Sequence, residues 1–433
     1  MTSARQIIEH GRMHGLQWAA VIITIGLNAL DGFDILASAF AAPGIASEWH
    51  VSREALGIVL SMELWGMVAG SLVLGSLTDI IGRRRAILLC LLVMTTGMIM
   101  ATRADSPQSL SIWRLVTGLG IGGMLAAINA LAAELSNLRH RSLAMAIMVI
   151  GYPLGGTIGG LIVQQLLKGT GWRAVFMLGA VATAIFIPLV LALVPESPVF
   201  LEKRRPAGAL EAINRTLARF GLPRLAQLPE LEPAEDRASI LDILKPGLIG
   251  TTTVLTLAYF AHAMTFYFIL KWAPKIIADL GHSPSEAAGV LTSANIGGAI
   301  GGAVFGWFMH RFGIKRPTLV VLAGSVVGVA LFGTHDKTSS LLVWSIAASL
   351  GMVFANAAIV GFYSSFAAGF PTHARATGTG FALGIGRFGG ALSPILAGSL
   401  FKSGFGLPVV AMVMGCGSLV ALLLLAPFRL KPR

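Results

Sequence analysis

Gly75-Ser76-Leu77-Thr78-Asp79-Ile80-Ile81-Gly82-Arg83-Arg84-Arg85 is a tight basic turn between two apolar runs, and its pattern returns at Gly306-Trp307-Phe308-Met309-His310-Arg311-Phe312-Gly313-Ile314-Lys315-Arg316. Gly82 supplies the backbone freedom the turn needs, Asp79 can pair locally, and the arginines suit an anionic membrane leaflet. The first copy follows the second apolar run of the chain and the other follows the eighth, so the sequence reads as six helices repeated once.

Working outward from the two turns, the whole chain is apolar. Of 433 residues 55% are hydrophobic and 12% charged, half the charge of an ordinary soluble domain at about 25%. Apolar segments near the ~20-residue spanning length run approximately over 17–42, 55–78, 86–102, 109–133, 142–167, 173–194, 248–270, 286–309, 318–334, 341–368, 376–400 and 407–428. The expected fold is an all-α integral membrane protein with twelve spans in two six-helix pseudo-repeats. Residues 1–194 form one bundle, 195–246 a cytoplasmic connecting loop, and 247–433 the second bundle. The first run is too long for a signal-peptide core and carries Asp31 and Asp34, so it is read as span 1. Cys90 and Cys416 both fall inside spans, which gives a disulfide framework no support.

A net charge of +12 would suggest nucleic acid in a soluble protein, but here its distribution excludes that partner. Most Lys and Arg, including Arg83, Arg139, Arg141, Arg311, Lys315 and Arg375, fall on one set of loops. This positive-inside bias puts both termini in the cytoplasm.

Charges within the spans need a reason, because they are costly there and mark ion or substrate pathways by default. Asn28, Asp31 and Asp34 recur at i, i+3, i+6 on span 1, roughly on one helix face. Glu63 sits about 12 Å into span 2. It reads either as a further functional carboxylate or as one hydrogen-bonded inside the bundle. Arg114 on span 4 lies at a depth comparable with Asp34, and a pair between them is expected, functional or purely structural. Glu134, at the inner end of span 4, is set to meet Arg139 and Arg141 as a gate. Arg387, close to mid-depth on span 11, needs a carboxylate partner such as Asp31 or Glu63, or an anionic substrate. Span 7 carries Tyr259, His262, Tyr267 and, at the outer mouth, Lys271; a snorkelling role or attraction of an anion fits that position. Tyr152, Asn295, Asn356 and Tyr363 add polar groups that can line a cavity.

Glycines at small-xxx-small spacing, Gly66 and Gly70, Gly155, Gly156, Gly159 and Gly160, Gly297, Gly298, Gly301 and Gly302, and Gly380, Gly384, Gly386 and Gly390, mark spans 2, 5, 8 and 11 for close packing, which serves either sliding between the bundles or static contact. In the central loop, 206–221 reads as an amphipathic surface helix with Leu210, Ile213, Leu217 and Phe220 on one stripe. No Gly-x-x-x-x-Gly-Lys-Ser/Thr loop or His-Glu-x-x-His is present, so neither ATP drive nor an enzyme has support.

The Gly-x-Leu-x-Asp-x-x-Gly-Arg-Arg form of residues 75–84 resembles the signature loop of the major facilitator superfamily, and Arg114 with Gly118, Gly120 and Gly122 resembles its span-4 motif. The later turn departs from that form, with His310 where the acidic residue stands. Asp31-Gly32-Phe33-Asp34, with Pro371 to Gly378 and Gly384-Ile385-Gly386-Arg387-Phe388-Gly389, resembles the aromatic acid:proton symporters, a group that includes 4-hydroxybenzoate and benzoate permeases. The resemblance implies import of an aromatic or related organic carboxylate together with a proton. It also implies a monomer in the cell inner membrane, driven by the proton gradient without a cofactor. Proton coupling then falls to Asp31, Asp34 and Glu63, and substrate binding to Arg387 and Arg114 with the polar residues above. Gating falls to Asp79, Arg83, Glu134, Arg139, Arg375 and His310. Transport of a non-aromatic acid, export, and a membrane sensor that binds without moving solute are the alternatives.

Overall fold

The computed structural model describes residues 3–229 and 240–428. Among the described residues, twelve helices are long and apolar enough to cross a membrane: Gly15–Trp49, Arg53–Ile81, Arg83–Thr102, Pro107–Leu135, Leu138–Leu166, Arg173–Leu193, Ile249–Asp279, Pro284–Phe312, Lys315–Gly333, Leu341–Gly369, Arg375–Lys402 and Leu407–Leu425, here spans 1 to 12. Most outrun the apolar segments that announce them, because polar caps carry the helix beyond the hydrocarbon. Ser52, Ser106, Asn137, Ser283 and Ser340 each accept a hydrogen bond from a first-turn amide, satisfying donors that a helix start otherwise leaves orphaned. Span 1 has 35 residues, about 52 Å of helix.

With an even number of spans, both chain ends lie on one face of the bundle. On that face the helices Ala4–His10, Pro198–Arg204 and Ala209–Arg219 form a small satellite core from Ala4, Ile8, Phe200, Leu201, Ile213 and Leu217. The amphipathic stripe of the central loop is therefore buried mainly against the helix Pro198–Arg204, which in turn packs on the N-terminal helix. Glu230, Glu232, Glu235, Asp236 and Arg237 of that loop lie outside the described residues.

Spans 2 and 11, and spans 5 and 8, pack across the two six-helix sets, while their glycines divide between contacts within a set and contacts across it. Gly66 and Gly70 of span 2 abut the carbonyls of Leu115 and Leu119 on span 4, within the first six spans. Gly155 and Gly159 lie on Ala29 and Phe33 of span 1, and Gly297 and Gly301 on Ser349 and Val353 of span 10. Gly386 and Gly390 abut the rings of Tyr259 and Tyr267 on span 7. Most of these glycines thus bind each six-helix set together. Contact between the sets is made by further glycines of the same spans: Gly156 and Gly160 of the span 5 stripe against Asn295 and Thr292, with Gly57 against Pro394 and Gly398 against Arg53.

Those contacts between the sets crowd toward the face opposite the termini. Arg53 pairs with Asp279 there at 3.0 Å, and Lys402 pairs with Glu54. Toward the termini, a Cβ placed on Gly380 or Gly384 of span 11 would meet nothing within 4 Å. The two sets are closed at one end and splayed at the other, and the wedge opens toward the chain termini.

Candidate functional site

At the centre of the wedge, span 11 presents Arg387 between two glycines. Because Gly386 and Gly390 lack side chains, the rings of Tyr259 and Tyr267 lie directly on span 11 to either side of it. Gly32 does the same on span 1, where a Cβ would strike the carbonyl of Tyr152, so that Tyr152 is brought beside Asp31. The chain contains four tyrosines, and all of them gather here. Arg387 acts electrostatically on Asp31, Tyr152, Tyr259 and Tyr267, and Tyr363 on the other three tyrosines. Tyr259 meets Tyr363 with ring centroids 6.4 Å apart, and Trp65 meets Phe388 edge-on at 5.4 Å.

Among the described residues no carboxylate lies within ion-pair distance of Arg387, which is half-buried. One buried oxygen of Asp31 also has no hydrogen-bond partner. A guanidinium grips a carboxylate through two parallel hydrogen bonds, and tyrosines offer ring faces together with hydroxyl groups. The chamber therefore holds one free fork for an anion, flat aromatic walls and a carboxyl group nearby.

A second charged centre lies deeper toward the closed face. Glu63 accepts from Arg114 through one oxygen and from Lys271 through the other, and all three side chains have zero exposure. Ser38 donates to the same carboxylate at 3.0 Å, and Lys271 also donates to the carbonyl of Ile35. Arg114 reaches the carbonyl oxygen of Asp34 at 2.8 Å and lies 5.2 Å from the Phe176 ring centroid. Two expectations are corrected. Arg114 pairs with Glu63 and touches Asp34 only through its backbone, leaving both Asp34 carboxyl oxygens without a hydrogen-bond partner. Lys271 is not at a mouth but sealed inside, held by groups from the first six spans.

Several other polar residues hold helices together. Asn28 donates to the carbonyl of Met148 at 2.8 Å, Asn295 to the carbonyl of Pro153 and the hydroxyl oxygen of Thr157, both at 3.0 Å, and Asn356 to the carbonyl of Gly298 at 2.7 Å. Both ring nitrogens of His262 are engaged at 2.9 Å, with Ser418 and Ala355. Asp34 faces Gly179 of span 6 rather than Arg387. The i, i+3, i+6 stripe of span 1 thus fans across different neighbours, since six residues at about 100° each leave Asn28 and Asp34 about 120° apart around the helix.

At the termini face, Arg83 pairs with Asp79 at 3.0 Å and with Glu134 at 2.9 Å. Arg141 pairs instead with Glu9 at 2.9 Å, and Arg139 is exposed; neither meets Glu134 as expected. Glu196 accepts from the amides of Arg83 and Arg84, at 2.8 and 3.2 Å, and caps span 3 from the loop that follows span 6. His310 is exposed in the last turn of span 8 and Arg375 half-buried at the start of span 11, with its Nε unpartnered.

Glu63 as the shared partner of Arg114 and Lys271 is not among the pairings expected from the sequence. One signal was available: buried Arg and Lys on facing spans require an anion between them, and Glu63 has the right depth.

This architecture, two sets of six spans around a charged central chamber, is that of a membrane transporter rather than an enzyme, and the chain belongs to the Major Facilitator Superfamily, whose profile matches residues 24–392 and 255–433. It is similar to the gallate transporter of Pseudomonas putida, with 30% identity over 419 residues, 96% of this chain and 92% of the relative. It is also similar to the 4-hydroxybenzoate transporter of Acinetobacter baylyi, 30% identical over 403 residues, with coverage of 89% and 85%. Its fold matches the crystal structure of a D-xylose-proton symporter at a TM-score of 0.76, with 16% identity and coverage of 96% and 98%.

Proposed function

We propose that the protein imports an aromatic carboxylate together with a proton by alternating access. The observation that carries the reading is Arg387, a guanidinium without a carboxylate partner, ringed by the four tyrosines of the chain and facing Asp31. A benzoate-like solute fits both features: its carboxylate takes the two donors of Arg387 and its ring lies on the tyrosine faces. Ring hydroxyls find phenol partners. The transporters named for gallate and 4-hydroxybenzoate support this class.

Asp31 supplies the coupling. An empty site holds the charges of Arg387 and Asp31 together; a bound carboxylate satisfies Arg387, and a proton on Asp31 then removes the surplus negative charge. With charge balanced, the two bundles, 1–194 and 247–433, rock as bodies about the site, joined by the 195–246 segment. The membrane is the cell inner membrane, with both termini in the cytoplasm, and the protein works as a monomer without a cofactor. Asp34 joins Asp31 in coupling, and the Asp79–Arg83–Glu134 group, with Arg139, Arg375 and His310, gates the termini face.

The test is uptake of radiolabelled benzoate, 4-hydroxybenzoate, 3,4,5-trihydroxybenzoate and a non-aromatic diacid by proteoliposomes, with an inward proton gradient imposed. Accumulation of the aromatic acids above the diacid is expected. Saturable binding without flux would favour a sensor, and preference for the diacid would overturn the substrate class.

A further inference from the structure

Lys271 is the one fully buried lysine among the described residues, and both its partners come from the other six-helix set. It reaches Glu63 on span 2 and the carbonyl of Ile35 on span 1, while Lys271 itself belongs to span 7. Glu63 is held differently: Arg114 and Ser38, its remaining partners, belong to its own set. The contact sits toward the face that the Arg53–Asp279 and Lys402–Glu54 pairs also close.

Separation of the two sets at that face therefore has an asymmetric result. Glu63 keeps a salt bridge and a hydroxyl donor, whereas Lys271 loses both acceptors at once. An ammonium ion in an apolar wall then needs either water or an anion. Its position on the vestibule side of the chamber puts it in the path of an incoming carboxylate. Arg114 cannot take that role, because its partners travel with it.

We propose that Lys271 is a second anion subsite, masked by Glu63 while the face opposite the termini is closed and unmasked when that face opens, where it receives the solute carboxylate before Arg387 does. The inference rests on the carboxylate reading of the chamber. It makes Lys271 a latch in one state and a ligand in the other.

The experiment separates the two roles by holding the face open. Gly57 abuts Pro394, and Gly398 abuts Arg53; Gly57→Trp, or Gly398→Trp should the first not fold, wedges the sets apart there. Affinity for 4-hydroxybenzoate is then measured on purified protein with Lys271, Lys271→Met and Lys271→Arg in the wedged background. Lys271→Met is expected to weaken binding about tenfold, the size of one charge-assisted hydrogen bond, and Lys271→Arg to restore most of it. Equal affinity of the three would overturn the subsite while leaving the transport reading intact. If neither the unwedged protein nor any wedged form binds an aromatic acid, the transport reading falls, and the subsite with it. In parallel, spin labels on Gln108→Cys and Lys337→Cys in a Cys416→Ser background report the closed face without solute. Lys271→Met in the unwedged protein should lengthen that distance, and an unchanged distribution would overturn the latch.

Discussion

Arg114 donates to the backbone carbonyl of Asp34 at 2.8 Å while its salt bridge goes to Glu63. The two carboxylates near this arginine therefore have different standing: Glu63 is fully partnered, and Asp34 has no hydrogen-bond donor on either oxygen. Glu63→Gln should be the more damaging change. It leaves Arg114 and Lys271 as buried cations without their shared counter-ion, and breaking a buried pair in this way costs about 3–5 kcal/mol. Thermal unfolding in detergent should show a large drop for Glu63→Gln and a small change for Asp34→Asn, a residue of nearly the same shape. The reverse order would contradict the pairing.

Arg387→Lys keeps the charge but removes the planar fork, and it should lower uptake of aromatic acids by about a hundredfold, the loss expected when a bidentate contact becomes a point contact. Arg387→Lys should leave stability close to that of the parent, since Arg387 holds no salt bridge among the described residues. Initial uptake rates and melting temperature, measured on one preparation, check both halves of the statement.

The glycines beside the site give a paired stability test. A methyl on Gly32 enters the carbonyl of Tyr152, whereas one on Gly384 meets nothing within 4 Å. Gly32→Ala should cost about 1–3 kcal/mol through overpacking, and Gly384→Ala should be neutral or stabilising by up to about 1 kcal/mol from helix propensity. Comparing the two melting curves tests the span 1 to span 5 contact directly.

Glu9 lies outside the spans, on the helix Ala4–His10, and titrates below its ordinary 4.5: burial pushes it up, but hydrogen bonds and charge from Arg5 and Arg141 pull it down further. A depressed carboxyl contributes its stability above pH 4.5 and loses it as the pH falls through the folded-state value. Glu9→Gln should therefore lower stability by up to about 1 kcal/mol at pH 7, and the difference from the parent should shrink in acid below pH 4.5. A constant difference from pH 7 to pH 3 would exclude the Arg5–Glu9–Arg141 network as its source.

Much of this architecture is legible in the sequence because the bilayer imposes it. Apolar runs of spanning length and two copies of one basic turn suffice for twelve helices in two sets, and for the resemblance to the superfamily. Arg387 and Asp31 stand out for the same reason, as charges in apolar helices. Partner choice is not legible in that way. Lys271 and Glu63 are 208 residues apart, and only the packing of span 7 on span 1 and of span 11 on span 2 brings them within reach. The glycines of spans 2, 5, 8 and 11 gave the right property, close approach, without saying which neighbour approaches. Asp34 shares its helix with Asp31 yet turns toward Gly179, because a stripe read at i+3 steps drifts around a helix of 3.6 residues per turn.

In the proposed mechanism Asp31, facing Arg387, links proton movement to carboxylate movement. The most direct measurement is external pH in a weakly buffered suspension of proteoliposomes when 4-hydroxybenzoate is added, with counterflow of the labelled acid followed in parallel. Alkalinisation is expected in the parent, and in Asp31→Asn its disappearance together with gradient-driven accumulation while counterflow persists. Solute-dependent alkalinisation of parental size in Asp31→Asn would contradict it.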